Sequence, residues 1–253
     1  MSVVPTMGGV IDRRILVNYR VDPSVLEDLL PPPFRPQLVD GYGIAGICLI
    51  RLKRLRPQGL PAAAGITTEN AAHRIAVEWE GPVRSQRGVY IPRRDSPSLL
   101  TVALGGRLFP GPHHRATFTV AETARRLQVG FASRDGSVHA AVDATRSAAV
   151  PTGSVFGSLE EASAFFAGSS LGYSPTGRTG HFEGVELRCH RWEMSPLRIE
   201  TASSSVFESD TFPPGAAELD SAFLMSHLPA TLHRRAPLTG DDRDVQPLSW
   251  MAA

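Results

Sequence analysis

Two adjacent histidines, His113 and His114, follow a Pro-Gly-Pro turn at Pro110–Pro112. Imidazole titrates near neutral pH, so one of them can move a proton or hydrogen-bond a substrate carbonyl. In an extended segment adjacent side chains face opposite sides, which lets only one of the pair enter a cavity. The plainer alternative for both is loop polarity. Glu69, in the segment Gly65–Asn70, is the second candidate. A carboxylate at a cavity edge acts as a base, or orients a hydroxyl, when burial raises its pKa. Otherwise it is a surface glutamate. His190 and Trp192 share one face of an alternating run in which Val185, Leu187, Cys189 and Arg191 take the other. Their face can line a cavity; equally, Trp192 is core and His190 a hydrogen-bonded strand residue. Tyr90 can point a phenol inward or pack in the core.

Lys53 is the only lysine. Amine-based covalent catalysis therefore has only Lys53 or the N-terminus to use. In Arg51–Arg56, alternation sets Leu52 and Lys53 on opposite faces, the pattern of a solvated strand end. Arginine is abundant and scattered, which reads as codon usage in a GC-rich genome rather than phosphate binding.

The elements that must position these groups are mostly strands. Ile15, Val17, Tyr19 and Val21 recur with period two, as do Ala116, Phe118 and Val120, then Leu127, Val129 and Phe131, and Val138, Ala140 and Val142. Between the last two runs, Ser133–Ser137 contains an Asp-Gly pair suited to a tight antiparallel hairpin. Helices are few. Asp22-Pro23 predicts an N-cap with proline at the first helical position, followed by the stripe Val25, Leu26, Leu29 and Leu30; Pro31–Pro33 stops it. Ser158 and Glu161 form a capping box opening a second helix that buries Leu159, Ala162, Phe165 and Phe166 and ends at Gly168. The expected fold is α+β, mainly antiparallel β, closed into a barrel or cone that hides its edges. Residues 1–236 read as one domain and 237–253 as a flexible C-terminal tail.

Composition sets limits. At 253 residues one large β-domain is expected, and a net charge of +1 argues against a nucleic-acid partner. No window has the roughly 18 to 20 apolar residues of a membrane-spanning helix. The N-terminus lacks a basic stretch followed by an apolar core, so the cytoplasm is the expected location. Cys48 and Cys189 lack metal-site spacing and read as buried reduced thiols. Phosphate-loop, dinucleotide, zinc-helix and nucleophile-elbow signatures are absent, so no nucleotide, flavin or metal cofactor is expected.

The stretch Gly106–Arg115, Gly-Arg-Leu-Phe-Pro-Gly-Pro-His-His-Arg, resembles the acetoacetate decarboxylase segment in which a Gly-Arg-Glu strand runs into Pro-Lys-Lys. Tyr19-Arg20 before a short helix, Thr68-Glu69, Leu197–Glu200 and Ser221–Leu224 match further family segments in the same order, covering roughly residues 13–230. A closer likeness is to the superfamily's uncharacterised bacterial branch, through Glu69 with Asn70 and through His190-Arg191-Trp192. In the decarboxylases the first lysine after the proline forms the Schiff base. Here His113 and His114 take the lysine positions, and an imidazole cannot form the iminium electron sink. The resemblance further implies that His113 enters the cavity, that Glu69 lies in it, and that Arg13 or Arg14 stands near a substrate-carboxylate arginine. A second cavity carboxylate would fall near Ala45-Gly46, where this chain has none. That loss suggests room for a bulkier, less polar substrate.

These readings combine into an expectation: a cofactor-independent lyase, isomerase or cyclase of bacterial specialised metabolism. Its substrate would be an apolar or carbonyl-bearing small molecule, with cyclisation or cycloaddition of a polyketide-like compound included. Catalysis would fall to His113, Glu69 or His114, and substrate binding to Arg13, Tyr90, His190 and Trp192. No nucleic-acid or membrane partner is expected, and a homo-oligomer is compatible. The alternatives are a non-catalytic binding protein and a decarboxylase using Lys53.

Overall fold

The computed structural model describes residues 5–97 and 110–240. The long strands are β1 (Met7–Val21), β4 (Tyr42–Pro57), β5 (Ile66–Glu80), β6 (Ser85–Ser96) and β13 (Ala217–Thr239). Shorter ones are β2 (Arg35–Pro36), β3 (Leu38–Val39), β7 (His113–Glu122), β8 (Arg126–Ser133), β9 (His139–Arg146), β10 (Leu171–Pro175), β11 (His181–Cys189) and β12 (Ser195–Ser204). Among the described residues the helices are α1 (Pro23–Leu29) and α2 (Leu159–Gly168), besides one 3-10 turn at Ala62–Ala64.

All of these strands belong to one sheet that closes on itself twice. A smaller ring runs β13-β1-β4-β5-β6-β10-β11 and back to β13. A larger one leaves β6 through β7, β8, β9 and β12 and rejoins β13. Pairing is antiparallel except for β6 with β7 and β6 with β10. The expected mainly antiparallel β-domain with few short helices is therefore the observed fold. Its closure is two rings sharing β13-β1-β4-β5-β6 rather than one simple barrel.

The sharing explains the composition of the central strands. A strand with packed residues on both sides needs apolar side chains at every position, not at alternate ones. Ile15, Val17 and Tyr19 of β1 join one core cluster with Ile47, Leu49 and Ile75. Leu16 joins the opposite cluster with Cys48, Ala72, Ile91 and Phe223. In β8, which borders only the larger ring, burial alternates as the period-two reading requires.

Local signals placed the turns and caps. Asp22 caps α1 by accepting from the Ser24 amide at 2.9 Å, and Leu26 and Leu29 are buried. Ser158 accepts from the Glu161 amide at 3.1 Å, while the Glu161 carboxylate accepts from Gly157, one residue before the cap. Ala162 and Phe166 of α2 are buried against Phe156 and Phe223. Asp135 folds the β8–β9 hairpin by accepting from the Ser137 amide at 2.9 Å, and Gly136 supplies the positive φ of 75°. The domain boundary expected at 236 falls inside β13, which continues through Thr239 because Leu238 and Thr239 pair with Phe182 and His181. The rest of the expected tail, 241–253, lies outside the described residues.

Candidate functional site

The lumen of the smaller ring is a cavity of about 120 Å³ lined by residues from all seven of its strands. Its chemistry is organised by strand register. One cross-strand rank carries Leu16, Cys48, Ala72, Arg94 and His113 on β1, β4, β5, β6 and β7. The rank on one side carries Arg14, Ile50 and Asn70; the rank on the other carries Asn18, Gly46 and Arg74. Because same-face residues recur every second position, Arg14, Arg74, Arg94, Cys48, Asn70 and His113 all reach the lumen.

Three guanidiniums thus meet in one small cavity, and among the described residues none of them has a carboxylate partner. Arg14 donates to Cys48 Sγ at 3.3 Å and Met225 Sδ at 3.5 Å, both weak acceptors. Arg74, 3% exposed, donates to the Asn18 side chain, and its Nε has no hydrogen-bond partner. Arg94 donates from Nε to the Pro110 carbonyl at 3.0 Å, and its Nη2 is likewise unpartnered. Burial pushes Arg74 and Arg94 down to about 10, and for Arg74 the neighbouring Arg14 charge adds to it. Trp192 lies 5.6 Å from the Arg14 guanidinium and Phe166 lies 4.9 Å from that of Arg74.

The structure separates residues that the sequence reading grouped. His113 lines the lumen and His114 does not. His114 Nδ1 lies 3.5 Å from Asp135, beside the buried Arg93–Asp95 pair, of which Asp95 also borders the lumen. Burial and the Arg93 charge pull its pKa down against the pull of Asp95 and Asp135. Glu69 lies away from the lumen, in an ion cluster with Arg13, Arg51 and Glu122. Arg13 Nη2 to Glu69 is 2.5 Å, Arg51 Nε to Glu69 is 2.5 Å, and Arg13 also bonds Glu122. Burial raises the Glu122 pKa, but its bonds to Arg13 and Arg51 outweigh that and leave it lowered. Of the two arginines at the resemblance-implied position, Arg14 is the one in the cavity.

Other expected site residues lie elsewhere. Tyr90 is 2% exposed among Phe34 and Phe182, where burial pushes its phenol up. The alternating run was expected to continue through Trp192, but β11 ends at Cys189. His190 is exposed, and Val185 and Leu187 line the lumen instead. Trp192 reaches the site only through Arg14. Ala45-Gly46 opens no room. Ala45 is fully buried core, and a Cβ on Gly46 would sit 2.1 Å from the Val17 carbonyl oxygen. Three guanidiniums therefore share a lumen of about 120 Å³ with apolar residues from β4, β5, β6 and β11. Lys53 pairs with Asp12 at 2.9 Å, is 48% exposed and does not line the cavity. Gly106–Phe109, which opened the decarboxylase-like stretch, lie outside the described residues.

Arg74, Arg94, Asn70 and Cys48 were missed. The signal for Arg74 was present: it alternates with Ala72 and Ala76, small apolar residues whose face is buried.

The model of a family of uncharacterised conserved proteins, DUF2071, matches residues 11–229. The chain belongs to this family. No curated protein sequence matches it closely enough to count as a relative. Among solved structures, acetoacetate decarboxylase from Legionella pneumophila superposes on this DUF2071 protein with a TM-score of 0.60 at 12% identity, over 94% of this chain and 88% of the other. An acetoacetate decarboxylase-like enzyme from Sphingomonas wittichii RW1 gives 0.53 at 16% identity, over 94% and 92%. The enduracididine biosynthesis enzyme MppR gives 0.60 at 14% identity, over 96% and 90%. MppR has also been solved with pyruvate, and with the condensation product of pyruvate and imidazole 4-carboxaldehyde. At these identities the likeness is one of fold: this DUF2071 chain has the acetoacetate decarboxylase architecture. Among its described residues, no helix is long and apolar enough to cross a membrane.

Proposed function

We propose that this chain is a cytoplasmic, cofactor-independent enzyme, a lyase, isomerase or cyclase, acting on a small carbonyl compound that bears a carboxylate. The observation that carries the reading is the trio Arg14, Arg74 and Arg94 around His113, each guanidinium lacking an acidic partner among the described residues. A buried cation without a counter-charge is costly, and a bound carboxylate relieves that cost with charge-assisted hydrogen bonds. His113 shares a rank with Arg94, so a carbonyl oxygen held by the Arg94 guanidinium lies within reach of the imidazole. Arg94 would stabilise the enolate-like charge as it develops, and His113 would deliver or remove the proton. No imine is invoked, since the only lysine pairs with Asp12 outside the lumen. The pyruvate complex of the fold neighbour MppR supports a carbonyl acid as ligand, and that neighbour's place in enduracididine biosynthesis supports bacterial specialised metabolism. The small cationic lumen favours this over a polyketide-like cycloaddition substrate.

The test is to incubate the protein with a panel of small 2-oxo and β-keto acids, following thermal stability and ligand NMR together. Stabilisation with chemical turnover, lost in His113→Ala, is the expected result. Stabilisation by a ligand that stays chemically unaltered would make the chain a binding protein instead. Borohydride treatment in the presence of a β-keto acid is expected to leave the protein mass unmodified. An adduct at Lys53 would restore the decarboxylase reading.

A further inference from the structure

The lumen offers more positive charge than one carboxylate can balance, and that charge has a direction. Arg13 and Arg93, each one position before a lumen arginine on the same strand, and Arg51 on β4 all bond to carboxylates. Arg14, Arg74 and Arg94 face the other way and have none among the described residues. The contrast is one of pairing: Glu69 takes Arg13 and Arg51 away from the cavity, and Asp95, which borders the cavity, is bonded to Arg93 and not to any of the three lumen arginines.

The three guanidiniums are also spread along the cavity. Arg14 and Arg74 belong to ranks on opposite sides of the rank that holds Arg94 and His113. Each terminal guanidinium rests on an aromatic ring, Arg14 on Trp192 and Arg74 on Phe166. Such stacking steadies a guanidinium while using none of its N–H donors and cancelling none of its charge. Arg14 already leans toward the middle rank, since it touches Cys48. The open donors are Arg74 Nε at one end and Arg94 Nη2 in the middle.

We propose that the ligand of this cavity is a short 2-oxo dicarboxylate, one carboxylate held by Arg14, the other by Arg74, with the carbonyl between them at Arg94 and His113. The inference rests on the reading of the lumen as a carbonyl-acid site and narrows it to a dianion. A monocarboxylate leaves two of the three lumen cations uncompensated, whereas a dicarboxylate leaves one, opposite the carbonyl oxygen where negative charge develops. A compact dianion such as phosphate balances the charge but brings no carbonyl to Arg94 and His113. The cavity, about 120 Å³, is close to one that admits benzene, roughly 150 Å³, which restricts the linker to a few carbons.

The experiment is calorimetry and thermal shift on the full chain with pyruvate, oxaloacetate, 2-oxoglutarate and inorganic phosphate at matched ionic strength. The better 2-oxo dicarboxylate is expected to bind at least about tenfold more tightly than pyruvate or phosphate. In Arg74→Met that preference over pyruvate should collapse to about twofold or less, and Arg74→Lys, which keeps the charge, should retain part of it. Circular dichroism and the melting temperature of each variant establish that it is folded. Pyruvate binding as tightly as either dicarboxylate would overturn the dianion while leaving the carbonyl-acid reading standing. Phosphate matching the dicarboxylates would overturn it too, exposing a general anion site. A preference that survives both Arg74→Met and Arg14→Met would remove the assigned residues. Failure of every carbonyl acid to bind would sink both readings together.

Discussion

His113 and His114 are consecutive in β7, yet their side chains take opposite faces of the sheet. His113 faces the lumen beside its register partner Arg94, while His114 pairs across the other face with Asp135. The two variants should therefore separate. His113→Ala is expected to lower turnover at least about a hundredfold, the usual contribution of a positioned acid or base, with little change in melting temperature. His114→Ala should leave turnover within about threefold and instead lower stability, because it removes a partner of Asp135. Steady-state kinetics with thermal melts check this, and equal kinetic losses in both variants would refute the assignment.

Glu69 is the residue whose expected role the structure changes most. Its carboxylate ties Arg13, 4% exposed, to Arg51, so it reads as the anion that makes the burial of Arg13 tolerable. Glu69→Gln leaves Arg13 with Glu122 alone. We expect a loss of about 1–3 kcal/mol in unfolding free energy, the range for leaving a buried donor incompletely satisfied. The response to lumen ligands should remain as in the wild type. A variant that melts normally but has lost ligand-induced stabilisation would return Glu69 to the cavity.

Features set by neighbouring residues were readable from the sequence. The caps at Asp22 and Ser158 and the Asp135-Gly136 hairpin depend on contacts within a few positions, and each stands where its residues predicted. Closure was expected, but its form as two rings was not readable, because β11 with β13 and β6 with β10 are long-range pairings that no local pattern encodes. The site was half visible. Motif position led to His113, but a one-residue choice between Arg13 and Arg14 decides between an ion cluster and the cavity. A sequence this rich in arginine conceals which ones matter; only their faces, fixed by register, separate Arg74 and Arg94 from the rest.

Gly46 illustrates how absence of a side chain was misread as space. It stands in the rank of Arg74 and Asn18, and β1 approaches so closely that a Cβ would lie 2.1 Å from the Val17 carbonyl oxygen. The obstacle is backbone, which cannot rotate away. Gly46→Ala should push β4 from β1, costing about 1–3 kcal/mol as overpacking strain and displacing Cys48 and Arg74. Denaturant unfolding measures the loss. An alanine variant as stable as the wild type would show that the two strands can part here without penalty.

The last prediction concerns acid. His73 is 2% exposed, beside the Phe131 ring, and burial together with the Arg93 charge lowers its pKa from 6.5 to about 3. In the native state it is therefore neutral through the range in which an unfolded chain's histidine gains a proton. Above pH 6.5 both states carry a neutral ring, and the group does not bias folding. As pH falls below 6.5 the unfolded state binds a proton that the native state refuses, so stability drops by up to about 1.4 kcal/mol per pH unit until the native pKa near 3 is reached. Replacing the ring removes that slope. The unfolding free energy of His73→Leu should decline less steeply than that of the wild type between pH 6 and pH 4, whatever its absolute value at pH 7. Parallel declines in denaturant titrations would mean that His73 takes up its proton while folded, with the surrounding core open enough to solvate it.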